Sequence, residues 1–175
     1  LEYCGDVSKL NIQPMTAAAI AGVLRPKLQD INMVSAGVIA KDRGVAVQEL
    51  LCAEHGVYES YIKLTVKTPE YNRSVAGTVF SDGRPRIIQV RDINMDFAVT
   101  PHMMFVRNSD KPGFIGAFGQ LLGNHGVNIA TFNLGREQPG GDAITVVALD
   151  EPIGDDILQE VTSLEHVVRA KRLEF

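Results

Sequence analysis

The stretch SDKPGFIGAFGQLLGNHGVNI, residues 109–129, decides the fold of the second half of this 175-residue chain. Pro112 suits the first turn of a helix because that position needs no backbone N–H donor, and Gly126 suits the left-handed residue that ends one. The apolar residues between them recur at helical spacing, at Ile115, Phe118, Leu121 and Leu122. Val127 and Ile129 then begin an alternating strand. The stretch therefore predicts a loop, a helix and a strand in succession.

The start of this helix has the chemistry of an amino-acid site. Free N–H groups near Gly113 and Phe114 and the positive end of the helix dipole favour an anion, while Asp110 beside them favours a cation. A zwitterionic amino acid carries both charges, and the amide of Asn128 offers it a neutral donor and acceptor. The alternative is that Asp110 and Asn128 only bond to their own loops, as Asx turns commonly do.

The elements predicted after residue 100 follow the order βαββαβ, which is a ferredoxin-like arrangement. They are strand 103–108, helix 112–124, strand 127–136, strand 141–150, helix 153–163 and strand 166–173. Both faces of strand 141–150 are apolar, so we expect helices on one face and a partner surface on the other. Pro101 interrupts strand pairing, which predicts a domain boundary between residues 100 and 101.

Residues 1–100 are predicted to form an α/β domain in which helices precede an antiparallel sheet. Helical periodicity covers residues 14–29 and 33–43, and Pro26 weakens the last turn of the first helix. The predicted strands are 62–67, 75–80 and 86–90. The chain is therefore assigned to the α+β class, with domains at residues 1–100 and 101–175.

Several motifs along the chain resemble those of one enzyme family. The second half resembles an ACT domain, and its motif order resembles that of D-3-phosphoglycerate dehydrogenases. That order is Asn108, Asp110-Lys111-Pro112-Gly113, Gly126-Val127-Asn128-Ile129, Gly135-Arg136 and Gly140-Gly141. The first half is similar to the intervening, or allosteric-substrate-binding, domain of the long bacterial form. Its matching segments are Gly5-Asp6-Val7, Thr16-Ala17-Ala18-Ala19, Asn32-Met33-Val34-Ser35-Ala36, Ala40-Lys41-Asp42-Arg43-Gly44 and Val75-Ala76-Gly77-Thr78-Val79.

The resemblance implies a regulatory role. ACT domains of this family pair side by side and bind L-serine, the end product of the pathway, where they meet. By motif position, Asn108 and Asp110 of one subunit and Asn128 of the other are expected to bind L-serine, together with the helix start at Gly113 and Phe114. Arg86 matches one basic position of an anion site in the first domain. Catalysis and NAD are expected in N-terminal domains outside this sequence, so this chain has no catalytic residues and no cofactor of its own.

Composition excludes several classes of function. The net charge of −4, the isoelectric point near 5.5 and the absence of Trp argue against nucleic-acid binding. Cys4 and Cys52 are far apart and lack a metal-ligand spacing, so they indicate neither a metal site nor a disulfide framework. The sequence shows no membrane span and no signal peptide, which favours the cytoplasm. It opens on Leu1 and not on Met, so we expect a preceding catalytic part.

Two other functions share parts of this pattern. The regulatory or beta portion of an iron–sulfur L-serine dehydratase contains both domain types, but its serine-rich opening is missing here. A stand-alone amino-acid-binding module is the second alternative, and a panel of amino acids would distinguish it from a structural dimeriser by thermal stabilisation.

Overall fold

The structure is a computed structural model that describes residues 1–53 and 57–175, and it divides into two compact units, Leu1–Asp82 and Gly83–Phe175. The first unit opens with β1 (Glu2–Gly5) and a single 3-10 turn, Asp6–Lys9. Its other elements are α1 (Gln13–Leu24), α2 (Ala36–Asp42), β2 (Leu50–Cys52), β3 (Ser60–Lys67) and β4 (Asn72–Val79). The predicted boundary between residues 100 and 101 stays a prediction.

The second unit contains a two-stranded hairpin and then the predicted βαββαβ series. Its elements are β5 (Pro85–Val90), β6 (Ile93–Phe97), β7 (His102–Ser109), α3 (Phe114–Asn124), β8 (Ile129–Arg136), β9 (Asp142–Leu149), α4 (Asp155–Ser163) and β10 (Val167–Glu174). The last four strands form an antiparallel sheet in the order β10-β7-β9-β8. The predicted α+β class and the ferredoxin-like arrangement are confirmed.

In the first unit the strands lie in the order β2-β1-β3-β4. The β1 strand pairs antiparallel with β3 and parallel with β2, so this sheet is not wholly antiparallel as the sequence had suggested. Tyr3 of β1 is fully buried, and its hydroxyl is hydrogen-bonded to Thr16 of α1 at 2.7 Å. This bond fixes the first helix against the sheet.

Helices cover one face of the four-stranded sheet. Phe118 of α3 is fully buried, with its ring 5.7 Å from that of Phe114 and 5.9 Å from that of Phe132. The same core contains Met104, Val106, Leu122, Val147 and Val161. Because side chains alternate along a strand, every second residue of β7 and of β9 faces this layer. The two helices are therefore held by the sheet that carries the predicted site.

The β5–β6 hairpin covers the opposite face of the same sheet. Ile93, Met95 and Phe97 of β6 pack against Met103, Ile144, Val146 and Ala148. The prediction that a partner surface covers the second face of β9 is therefore wrong for these residues, because the chain supplies its own cover. The hairpin approaches β8 closely at Gly135, since a Cβ atom there would lie 2.5 Å from Cγ2 of Ile93.

Several helix boundaries differ from the predicted ones, and two of these differences follow from backbone geometry. The first helix ends at Leu24 and not at residue 29, because Pro26 removes a helical hydrogen bond. The third begins at Phe114, and Pro112 lies outside it, because Gly113 adopts a left-handed conformation with φ of 96°. The prediction of Pro112 in the first helical turn is wrong.

Candidate functional site

Asp110 follows β7 directly and lies at the centre of a polar cluster. Its Oδ2 accepts hydrogen bonds from Nη1 of Arg136 at 2.7 Å and from the backbone N–H of Gly140 at 2.9 Å. The bond from Gly140, followed by that from Arg136, lowers the pKa of the Asp110 carboxyl below its ordinary value. Its own N–H donates to the carbonyl of Gly141 at 2.8 Å. The carboxylate is therefore ionised and fixed to the turn between β8 and β9.

Gly113 and Phe114 form the start of α3, as predicted. The left-handed Gly113 turns the chain from the Asp110 loop into the helix. The side chain of Phe114 is 3% exposed and packs in the core, so this residue offers a ligand its backbone and not its ring. These two positions thus present the N–H groups of a helix start beside a fixed carboxylate.

Asn108 lies in the same part of the sheet but is buried, with 1% exposure. Its Oδ1 accepts a hydrogen bond from Oγ1 of Thr145 at 3.2 Å, and its Nδ2 donates to the carbonyl of Ser109 at 3.1 Å. The side-chain amide is thus bonded within the sheet through both its oxygen and its nitrogen. Through its bond to Ser109, the buried Asn108 side chain helps to fix the backbone that leads into Asp110.

Asn128 lies far from the other predicted site residues. It precedes β8, is exposed, and donates from Nδ2 to Oδ2 of Asp150 at 2.6 Å. Arg136, the partner of Asp110, ends the same strand. A strand of this length separates the two positions by about 25 Å. The chain therefore gathers Asn108, Asp110, Gly113 and Phe114 at one end of β8 and leaves Asn128 at the other.

The sequence alone gives no role to several partners of the predicted residues, among them Arg136, Gly140 and Asp150. Arg136 is 26 positions from Asp110, and Asp150 is 22 positions from Asn128. These residues are far apart in sequence, and the register of the strands in the sheet brings each pair together. The motifs Gly135-Arg136 and Gly140-Gly141 were the signal available, since they accompany Asp110 in the family pattern.

Arg86, the predicted anion-binding residue, lies on β5. Its Nη1 donates to Oδ1 of Asp96 on β6 at 3.3 Å, across the hairpin. An anion at this position would compete with that carboxylate for the guanidinium. The anion site at Arg86 stays a prediction.

The structure of residues 1–53 and 57–175 bears on metal ligation and on membrane insertion. Within these ranges no group of three or more His, Cys, Asp or Glu side chains is arranged to hold a metal ion. The helices in this part of the chain lack the length and hydrophobicity needed to cross a membrane.

Comparison with known proteins supports the resemblance across both units. Residues 1–91 match the D-3-phosphoglycerate dehydrogenase intervening domain, and residues 102–166 match the ACT domain. The D-3-phosphoglycerate dehydrogenase of Bacillus subtilis is 31% identical over 175 residues, covering 99% of this chain and 33% of that protein. The enzyme of the same name from Synechocystis is 36% identical over 162 residues, covering 91% of this chain and 29% of that protein.

The chain spans about a third of the length of these curated relatives. A third relative, the D-3-phosphoglycerate dehydrogenase of Archaeoglobus fulgidus, is 31% identical over 173 residues, or 97% of this chain and 33% of that protein. These matches do not favour the dehydratase alternative. The chain belongs to the D-3-phosphoglycerate dehydrogenase family and contains that family's intervening domain followed by an ACT domain.

Proposed function

We propose that this chain is the regulatory and oligomerisation portion of an NAD-dependent D-3-phosphoglycerate dehydrogenase, and that it binds L-serine between two ACT domains. One observation carries the proposal: the edge strand β8 has the Asp110–Arg136 cluster at one end and Asn128 at the other. The two halves of the expected site are therefore too far apart to act within one copy.

A second copy removes this separation. The β8 strand is at the end of the sheet order, and in the described residues its pairing partner is β9. Two such edges that pair antiparallel about a two-fold axis bring the start of one strand opposite the end of the other. Asn128 of each copy then lies near the Asp110–Arg136 cluster of the other. We call this line of contact the seam.

The charges at each end of the seam suit a zwitterion. The Asp110 carboxylate attracts an ammonium group, and the N–H groups at Gly113 and Phe114 attract a carboxylate, with Arg136 adding positive charge beside them. The Asn128 amide supplies a neutral donor and acceptor, as a hydroxyl-bearing side chain requires. Binding that needs both copies favours the paired arrangement, which is how an effector shifts an assembly.

Catalysis and NAD are proposed to belong to domains outside this chain. A dinucleotide site needs closely spaced glycines in a turn between a strand and a helix. No two glycines of this sequence are separated by a single residue, so its residues do not fit the cofactor. The family relationship leads us to propose that the whole protein acts in L-serine biosynthesis in the cytoplasm.

The first test is calorimetric titration of this chain with L-serine, with D-serine and glycine as controls, alongside measurement of its mass in solution. We expect saturable, stereospecific binding to a dimer or a larger assembly. Asp110→Ala and Asn128→Ala should each weaken binding at least about tenfold, which corresponds to roughly 1.4 kcal/mol. Asn72→Ala, an exposed asparagine of β4, is the matched control and should bind normally.

Mixing the two variants tests whether the site spans two copies. A mixed dimer of Asp110→Ala and Asn128→Ala chains has one site with both residues replaced and one site intact. Random mixing should therefore restore about one quarter of the sites, whereas a site within one copy would recover none. Full binding by both single variants would contradict the site assignment. An assembled oligomer that ignores L-serine would contradict the effector while leaving the seam in place.

A further inference from the structure

One row of side chains in the first unit carries two thiols and a phenol. Cys4 of β1 lies opposite Cys52 of β2 in the parallel pair and opposite Tyr61 of β3 in the antiparallel pair. Residues paired across neighbouring strands point to the same face of a sheet. Cys52, Cys4 and Tyr61 therefore follow one another across three strands, and we call this the thiol row.

The spacing of the thiol row suits a covalent bond between its two cysteines. Neighbouring strands lie about 4.8 Å apart, and the Cα atoms of bridged cysteines are usually roughly 4.4–6.8 Å apart. Neither cysteine is in a disulfide in this structure. Cys4 is 4% exposed while Cys52 is intermediate, so a small reagent reaches Cys52 first.

Tyr61 lies at the end of the row opposite Cys52, beside the buried Cys4. Its hydrogen bond with Cys4, together with burial, raises the pKa of Tyr61 to about 12. The phenol therefore remains protonated at neutral pH and continues to bond to the Cys4 sulfur. This bond keeps the Cys4 sulfur on the face of the sheet that Cys52 and Tyr61 share.

We propose that Cys4 and Cys52 are a reversible redox pair, which a low-molecular-weight disulfide converts into an intramolecular disulfide joining β2 to β1. The inference is independent of the proposed L-serine site. It assigns a modification site to a strand that has only three register pairs with its neighbour. Intracellular disulfides of this kind are usually transient and sense the redox state.

The chemistry balances with the oxidant named. The Cys52 thiolate attacks one sulfur of the small disulfide, forming a mixed disulfide and releasing one thiolate. Cys4, deprotonated, then attacks the Cys52 sulfur, forming the Cys4–Cys52 bond and releasing the second thiolate. Two electrons pass to the oxidant, and the two protons lost by the protein thiols end on the two small thiols. An excess of small thiol reverses both steps.

The test is equilibration of this chain with mixtures of oxidised and reduced glutathione, followed by acid quenching and mass spectrometry of intact protein and peptides. We expect a species that has lost two hydrogens and yields a peptide linking Cys4 to Cys52. The register control is the double variant Leu51→Cys/Cys52→Ser, which moves the thiol to the opposite face of β2. It should form at least about tenfold less internal disulfide at the same glutathione ratio.

Several outcomes would overturn the proposal. A lasting glutathione adduct on Cys52 in the unmodified sequence would show that Cys4 does not resolve it. Disulfides between two chains, or equal internal bridging in the register control, would show that the row does not direct the reaction. Circular dichroism of each variant before oxidation separates a failure to fold from a failure to react.

Discussion

At the scale of single residues, Asp110 is an ionised group whose hydrogen bonds from Gly140 and Arg136 lower its pKa. Because its pKa is lowered in the folded chain, its contribution to stability is present above the unfolded value of 3.8 and is lost as pH falls through the folded value. The two hydrogen bonds that cause this shift also fix the turn after β8. Acid should therefore loosen the predicted site before it disrupts the apolar core.

Asp110→Asn should remove this part of the pH dependence. We expect the urea midpoint of the unmodified chain to exceed that of the variant near neutral pH, and the difference to shrink as pH falls below about 4. Glu151→Gln, at an exposed carboxylate outside the cluster, is the control and should leave the pH profile unchanged. Parallel curves for Asp110→Asn and the unmodified chain at all pH values would contradict the assigned pKa shift.

Residue roles were only partly predictable from the sequence. The positions of Asp110 and Gly113 at a helix start followed from local turn and helix signals. The bond from Arg136 to Asp110 did not, because it depends on the register of β8 across the sheet. The resemblance predicts that Asn108 contacts the ligand. Its burial and its hydrogen bond with Thr145 could not be predicted, because they depend on which face of β7 it occupies.

At the scale of elements, the sequence predicted the long periodic segments and missed short ones. The four residues of β1 and three of β2 are too few to display a period. The β6 strand did carry a signal, since apolar and polar residues alternate along Ile93-Asn94-Met95-Asp96-Phe97, and the apolar ones are buried. Its packing on the four-stranded sheet was not predicted, because the contact with β9 joins segments about 50 residues apart in sequence.

Two glycine substitutions should have opposite effects on stability, because Gly135 lies against β6 whereas Gly119 lies in an open part of α3. Gly135→Ala places a Cβ 2.5 Å from Ile93 Cγ2 and 3.2 Å from Met95 Cγ. We expect overpacking to lower the free energy of unfolding by roughly 1–3 kcal/mol. Gly119→Ala in α3 meets nothing within 4 Å and should raise it by about 0.5–1 kcal/mol. Urea denaturation measures both, and a stabilising Gly135→Ala would contradict the close packing of the hairpin.

At the scale of the whole molecule, the thiol row links two segments that are distant in sequence. A disulfide between Cys4 and Cys52 closes a loop of about 50 residues, which in the chain-entropy estimate stabilises by about 4 kcal/mol. We therefore expect the oxidised chain to unfold at a higher urea concentration than the reduced chain, with the difference abolished in Cys52→Ser. Equal midpoints for fully bridged and reduced protein would contradict this estimate.

The edge of the four-stranded sheet also affects how the protein behaves when concentrated. The eight residues of β8, IATFNLGR, include neither lysine nor proline. Natural sheets use such residues to protect a free edge, since unprotected N–H and C=O groups recruit any extended chain. A copy whose β8 edge stays open is therefore at risk of aggregation. The pairing proposed for regulation would then also keep the protein soluble.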